Sequence, residues 1–179
     1  MPIGPARMPL MDHLGELRRR LAIVVVSLLL TSVVVYVTPT LIDIMLDPIR
    51  DVFESNELTV LSVLGGFTIR FKVAFFFSLI ICTPIIVWEV MGFFLPALKP
   101  NERRWVVPTV AAMILLFFCG MGFCYLVIQK PAIGWMIDQS RAFANVIPEA
   151  ENFLNIMMLL EIGFGFAFQL PLIIFYLSI

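Results

Sequence analysis

The sequence predicts an all-α integral membrane protein, a polytopic helix bundle with four transmembrane helices. Two observations carry that prediction. Of 179 residues, 61% are hydrophobic and only 14% are charged, against about 45–50% and about 25% in soluble domains. The apolar residues are also gathered into four long runs, near 21–42, 73–98, 105–129 and 152–179. Backbone polar groups in lipid must be satisfied within the segment, which makes these runs helices, and none shows the period-two alternation of a barrel strand. Seventeen Phe residues exclude a disordered chain, and a net charge of −1 offers no basic footprint for nucleic acid. One His and three Cys poorly supply a metal or disulfide framework, so no metal and no cofactor are expected.

Residues 1–20 form a cytosolic amphipathic segment. Leu10, Leu14, Leu17 and Leu21 fall within about 60° of one another on a helix, with His13, Glu16 and Arg20 on a different face. Leu21–Ile42 then runs 22 residues without a charge, roughly 33 Å of helix against a hydrocarbon core of about 30 Å. Arg18-Arg19-Arg20 ahead of an apolar run also resembles a secretory signal, but the run is too long and no small-x-small cleavage site follows. In the external segment 43–72, residues Leu41–Phe53 have apolar side chains at helical spacing and charges on the other faces, a surface-lying or capping helix. Gly65-Gly66 breaks the chain before the second run, Val73–Leu98, which only Glu89 interrupts.

The connection from Lys99 to Arg104 is short, so the second and third runs must be antiparallel neighbours. Trp105–Gln129 is uncharged. The external segment 130–151 opens with Pro131 and contains Pro148, which predicts part helix and part turn. Asn152–Ile179 is interrupted only by Glu161. Cys82, Cys119 and Cys124 fall inside the runs and read as small packing residues. Pro84, Pro108 and Pro171 bend or start helices. The whole chain reads as a single transmembrane domain.

Charge sets the orientation. The N-terminal segment and the 99–104 connection hold seven basic residues against three acidic ones; the other two connections hold five against eight. Basic residues mark the cytoplasmic face, so the N-terminus is expected inside.

Two clusters are candidates for function. One is His13-Leu14-Gly15-Glu16-Leu17-Arg18-Arg19-Arg20, where a helix resting on the membrane can hold one carboxylate at the interface. The plainer alternative is an i,i+4 pair of Glu16 with Arg20, worth a few tenths of a kcal/mol. The other is Phe93-Phe94-Leu95-Pro96-Ala97-Leu98 followed by Glu102-Arg103-Arg104, which alone would be a topology-setting positive loop.

The motif His13-Leu14-x-Glu16-Leu17-Arg18-x-Arg20-Leu21 resembles the N-terminal signature of the TatC family, the receptor subunits of the twin-arginine protein translocase. Phe93-x-x-Pro96-Ala97-Leu98 with Glu102-Arg103-Arg104 is similar to that family's first cytosolic loop. Phe164-Gly165-x-Ala167-Phe168-Gln169-Leu170-Pro171 is similar to its fourth transmembrane helix, and Asp47-Pro48 and Tyr125 also fit. The resemblance implies a non-enzymatic, multi-pass protein of a prokaryotic plasma membrane. It would bind twin-arginine signal peptides of folded cargo and assemble with single-span TatA/TatB-type partners and with itself. Export would be driven by the proton-motive force. It also implies a signal-peptide site of Glu16 and Glu102, with Arg18, Arg103 and Phe93 beside them. Carboxylates suit that task because they take guanidinium groups in charge-assisted, often bidentate geometry.

Two departures from the family stand out. Members usually have six spans, so this chain is expected to be a fragment or a naturally shortened member. Gln169 stands where many members carry Glu and cannot ionise. Glu161, eight residues earlier, is the alternative titratable group, unless it merely reaches the outer interface. Gln169, Glu161 and Phe168 are the candidates for an intramembrane partner-docking surface. A competing function is a small-solute or proton transporter with Glu89, Glu161 and Gln169 as its polar path. An intramembrane enzyme would need a constellation that His13, outside the runs, does not provide.

Overall fold

The structure is a computed structural model and describes residues 10–38, 40–48, 58–95, 103–142 and 149–177. Four of its helices are long and apolar enough to cross a membrane: Leu14–Tyr36, Gly65–Phe94, Val106–Arg141 and Ala150–Ile174. The chain is a multi-pass membrane helix bundle.

Helix α1 (Leu10–Tyr36) is 27 residues long, roughly 40 Å. Its polar first turns therefore extend past a hydrocarbon core of about 30 Å. It packs mainly against α3, and the opposite face stays exposed at Leu29, Leu30, Val33 and Val34, as lipid-facing residues should be. The short α2 (Thr40–Leu46) buries Met45. It is the described part of the expected 41–53 helix; residues 49–57 lie outside the description.

Helix α3 (Gly65–Phe94) accommodates Pro84 in its interior. Proline removes one ladder donor, and nearby hydroxyls bond back onto the same helix, Thr83 Oγ1 to Leu79 O at 2.9 Å and Ser78 Oγ to Ala74 O at 2.6 Å. These two hydroxyls are thus satisfied without leaving the helix. Cys82, buried on α3, meets Thr31 of α1 at 3.3 Å.

Helix α4 (Val106–Phe123) passes through a π turn (Cys124–Ile128) directly into α5 (Gln129–Arg141). The helical part of the 130–151 segment thus continues the third run through Pro131. A helix tolerates proline in its first turn, where the missing N–H costs least, and the register change at the π turn gives Pro131 such a place. α5 is anchored by Ile133 and Ile137, buried against the core. Helix α6 (Ala150–Ala167) is followed by a turn at Phe168-Gln169 and by α7 (Leu170–Leu177). Pro171 lies in the first turn of α7, so the helix restarts where its ring is tolerated.

α4 and α6 approach closely because both carry glycine at the contact. A Cβ on Gly120 would lie 2.6 Å from the Phe164 carbonyl oxygen, and one on Gly165 would lie 2.7 Å from the Phe117 ring. Small residues that let backbones approach are the usual basis of helix association in lipid.

The buried core sits at one end of the bundle. Met45, Ile69, Val73, Phe76, Met121, Ile133, Ile137, Leu154 and Met157 pack there. The same end carries most of the cross-links: Lys72 Nζ to Glu151 Oε1 at 2.7 Å and to Asn155 Oδ1 at 3.2 Å, Tyr125 Oη to the Ile44 carbonyl at 2.7 Å, and Ala150 N to Thr59 O at 2.9 Å. The opposite end, where α1 and α4 begin and α3 finishes, holds the candidate site.

Candidate functional site

Glu16 and Arg20 lie one turn apart on α1, which places them on one face. Arg20 donates from Nε and from Nη2 to Glu16 Oε1, at 3.0 and 2.6 Å. Its remaining terminal nitrogen crosses to α3, where Nη1 donates to Glu89 Oε2 at 2.9 Å and lies 3.4 Å from the Glu89 carbonyl oxygen. Glu89 thus meets Arg20 across the bundle. Opposite charges at the same end of two adjacent antiparallel spans are the sequence signal for that pair. Gly92, one turn further on, makes the crossing possible, since a Cβ there would overlap the Arg20 guanidinium.

The Glu16, Arg20 and Glu89 side chains keep 24%, 24% and 17% of their surface exposed. The group is therefore partly desolvated yet open to an incoming ligand. Two carboxylates against one guanidinium leave it with one negative charge. Arg18 and Arg103 are exposed. Phe93 is half-buried, its ring 5.5 Å from Phe94 edge to face. The guanidinium of Arg104 lies 5.7 Å from the Trp105 ring centroid. Glu102 lies outside the described residues.

The intramembrane candidates do not form one site. Glu161 is buried, and its Oε1 accepts a hydrogen bond from Nε2 of Gln129, which has no exposed surface. Sequence patterning did not single out Gln129, because it is the last uncharged residue before a lysine and reads as a helix end. The π turn immediately before it shifts the register. Glu161 also borders a cleft of about 340 Å³ with Ile44, Met45, Phe77, Phe118 and Tyr125.

Gln169 sits elsewhere. Its Nε2 donates to the Met113 carbonyl of α4 at 2.8 Å, while its buried Oε1 has no hydrogen-bond partner among the described residues. It borders a separate, apolar cleft of about 210 Å³ between α3, α4 and α6, beside Thr83, Phe117 and Phe166. Phe168 packs its ring 5.7 Å from that of Phe123. Glu89, Glu161 and Gln169 each have a different partner, so the polar residues of the transporter reading are dispersed rather than arranged as a path.

The family model of the Sec-independent protein translocase protein TatC matches residues 12–179. The chain belongs to the TatC family.

Among curated TatC proteins, that of Escherichia coli is 32% identical over 168 residues, covering 93% of this chain and 65% of that protein. That of Aquifex aeolicus is 29% identical over 174 residues, covering 96% of this chain and 72% of its own length. The chain therefore spans about two thirds of the length of the E. coli relative. A crystal structure of the twin-arginine translocase receptor TatC superposes with a TM-score of 0.79 at 27% identity, over 90% of this chain and 72% of the other. The bundle described here is thus a TatC fold.

Proposed function

We propose that this chain is the signal-peptide-binding part of a Sec-independent protein translocase, seated in a prokaryotic plasma membrane with its N-terminus in the cytoplasm. The observation that carries this reading is the partly exposed Glu16 carboxylate, held by Arg20 at the end of the bundle where α1 begins. A carboxylate already pairing with a guanidinium, in an environment drier than bulk water, suits the arginine pair of a signal peptide. Glu102 in the adjoining connection would take the second arginine. Arg18, Arg103 and Phe93 would border the peptide, and lipid would surround the bundle.

The test is site-specific crosslinking of signal peptides carrying Arg-Arg or Lys-Lys pairs. Glu16→Ala and Glu102→Ala should each weaken the Arg-Arg peptide by about 1–3 kcal/mol, as for a lost charge-assisted hydrogen bond, and the Lys-Lys peptide by less. Equal loss for both peptides would show general misfolding instead.

TatA/TatB-type single-span subunits and further copies of this chain are the partners this reading requires, with transport driven by the proton-motive force. Gln169 supports a docking role, because its buried Oε1 has no donor among the described residues and the cleft beside it is apolar. Gln169→Leu should leave peptide binding intact and reduce photocrosslinking to the partner helix. The interhelical bond is worth roughly 1 kcal/mol, so docking weakens rather than disappears. Normal transport by Gln169→Leu would shift the role to Glu161.

A further inference from the structure

The cluster of Glu16, Arg20 and Glu89 has a feature that a simple binding carboxylate would not need. Both contacts from Arg20 to Glu16 converge on the single oxygen Oε1, through Nε and Nη2, while Nη1 is committed to Glu89. A guanidinium offers five N–H donors in one plane, and this one bridges two carboxylates on two helices at once. Its geometry on Glu16 is that of a ligand arginine, supplied by the protein itself.

Resting on the reading of Glu16 as the seat of a peptide arginine, we propose that Arg20 occupies that seat in the unliganded protein and that Glu89 retains Arg20 when an incoming guanidinium displaces it. Glu89 is then a positioning residue that sets the threshold for displacement. Binding becomes an exchange of one guanidinium for another at Glu16. The seat is not left as an uncompensated carboxylate, and the displaced Arg20 keeps a counter-charge in Glu89, which it already meets at 2.9 Å in the unliganded protein. The notch at Gly92 gives Arg20 its place against α3.

Exchange also sets a threshold. Displacing the Nε/Nη2 pair from Oε1 lowers the apparent affinity of every cation by the same factor. At the freed carboxylate arginine gains more than lysine, which is a compact, strongly hydrated point charge. Arg20 thereby pushes weak cations out of the useful affinity range while the stronger arginine contact survives.

The test measures affinities of fluorescent Arg-Arg and Lys-Lys peptides for the full chain in detergent micelles. Arg20→Gln should tighten both peptides by about tenfold, leaving the ratio between them unchanged. Arg20→Lys, which offers an ammonium in place of the fork, should tighten both by less and guards against misfolding of the glutamine variant. Glu89→Gln should weaken the Arg-Arg peptide by about tenfold, because Arg20 then has only Glu16 to hold it; Glu89→Asp should restore most of that loss. Unchanged affinity in both Arg20 variants, or unchanged affinity in Glu89→Gln, overturns the exchange. Glu16→Ala separates the two ideas. If it abolishes binding while Glu89→Gln does nothing, only the exchange fails. If it leaves binding intact, the seat itself is wrongly placed.

Discussion

Gly92 and Gln129 show how single residues set the polar contacts of this bundle. Space for the Arg20 guanidinium exists only because position 92 lacks a Cβ. Gly92→Ala should therefore push the flexible end of Arg20 off Glu89 and cost at most about 1 kcal/mol, the worth of a partly exposed ion pair. Gly66→Ala is the matching control, since nothing lies within 4 Å of a Cβ there and alanine favours a helix by up to about 1 kcal/mol. Thermal unfolding of both variants in micelles measures the difference. Gln129 donates to Glu161, and both are buried. Gln129→Leu keeps the volume and removes the donor, leaving a buried carboxyl without that bond. The expected loss is about 1–2 kcal/mol, read from the same unfolding curves. A loss no larger than that of Leu159→Ala, on the exposed face of the same helix as Glu161, would show that the bond contributes nothing.

At the scale of elements, the α4–α6 contact rests on glycine facing bulk. Phe117 fills the space over Gly165, and the Phe164 carbonyl and Phe168 side chain fill the space over Gly120. Gly165→Leu should force the Phe117 ring out of place at a cost of about 1–3 kcal/mol and should lower the yield of an engineered α4–α6 crosslink. Gly163→Leu, two residues away with open space around it, should leave that yield unchanged. The π turn belongs to this scale too. Its extra residue lets one continuous element present Tyr125 to α2 and Gln129 to α6, with Pro131 tolerated just beyond.

For the molecule as a whole, packing is uneven. The end with Lys72, Glu151 and the α2 and α5 segments is closed by a buried core, with one cleft beside Glu161, whereas the other end carries the charged cluster of Glu16, Arg20 and Glu89. The proposed peptide site thus lies at the end away from that core. Leu154→Ala, in the core at 2% exposure, should cost about 2–4 kcal/mol, while Leu159→Ala, 72% exposed, should cost less than about 0.5 kcal/mol. Denaturant titrations of the two variants provide the comparison. In lipid the lower end of the first range is expected, because apolar surface there leaves a membrane rather than water.

Apolar runs and charge bias sufficed to predict four membrane helices, because a bilayer allows a long apolar segment no other backbone solution. The TatC motifs at residues 13–21, 93–104 and 164–171 likewise stand in the sequence as short local stretches, so the resemblance pointed to Glu16 and Gln169 as candidates. What spacing could not show was which polar groups meet. Glu89 paired with Arg20, and Glu161 paired with Gln129, join residues 69 and 32 positions apart. These pairings depend on helix rotation, on a π turn that shifts the register by a residue, and on a missing Cβ at Gly92. Each is a consequence of how helices pack, and packing is a property of several helices at once, so tertiary structure alone decided those contacts.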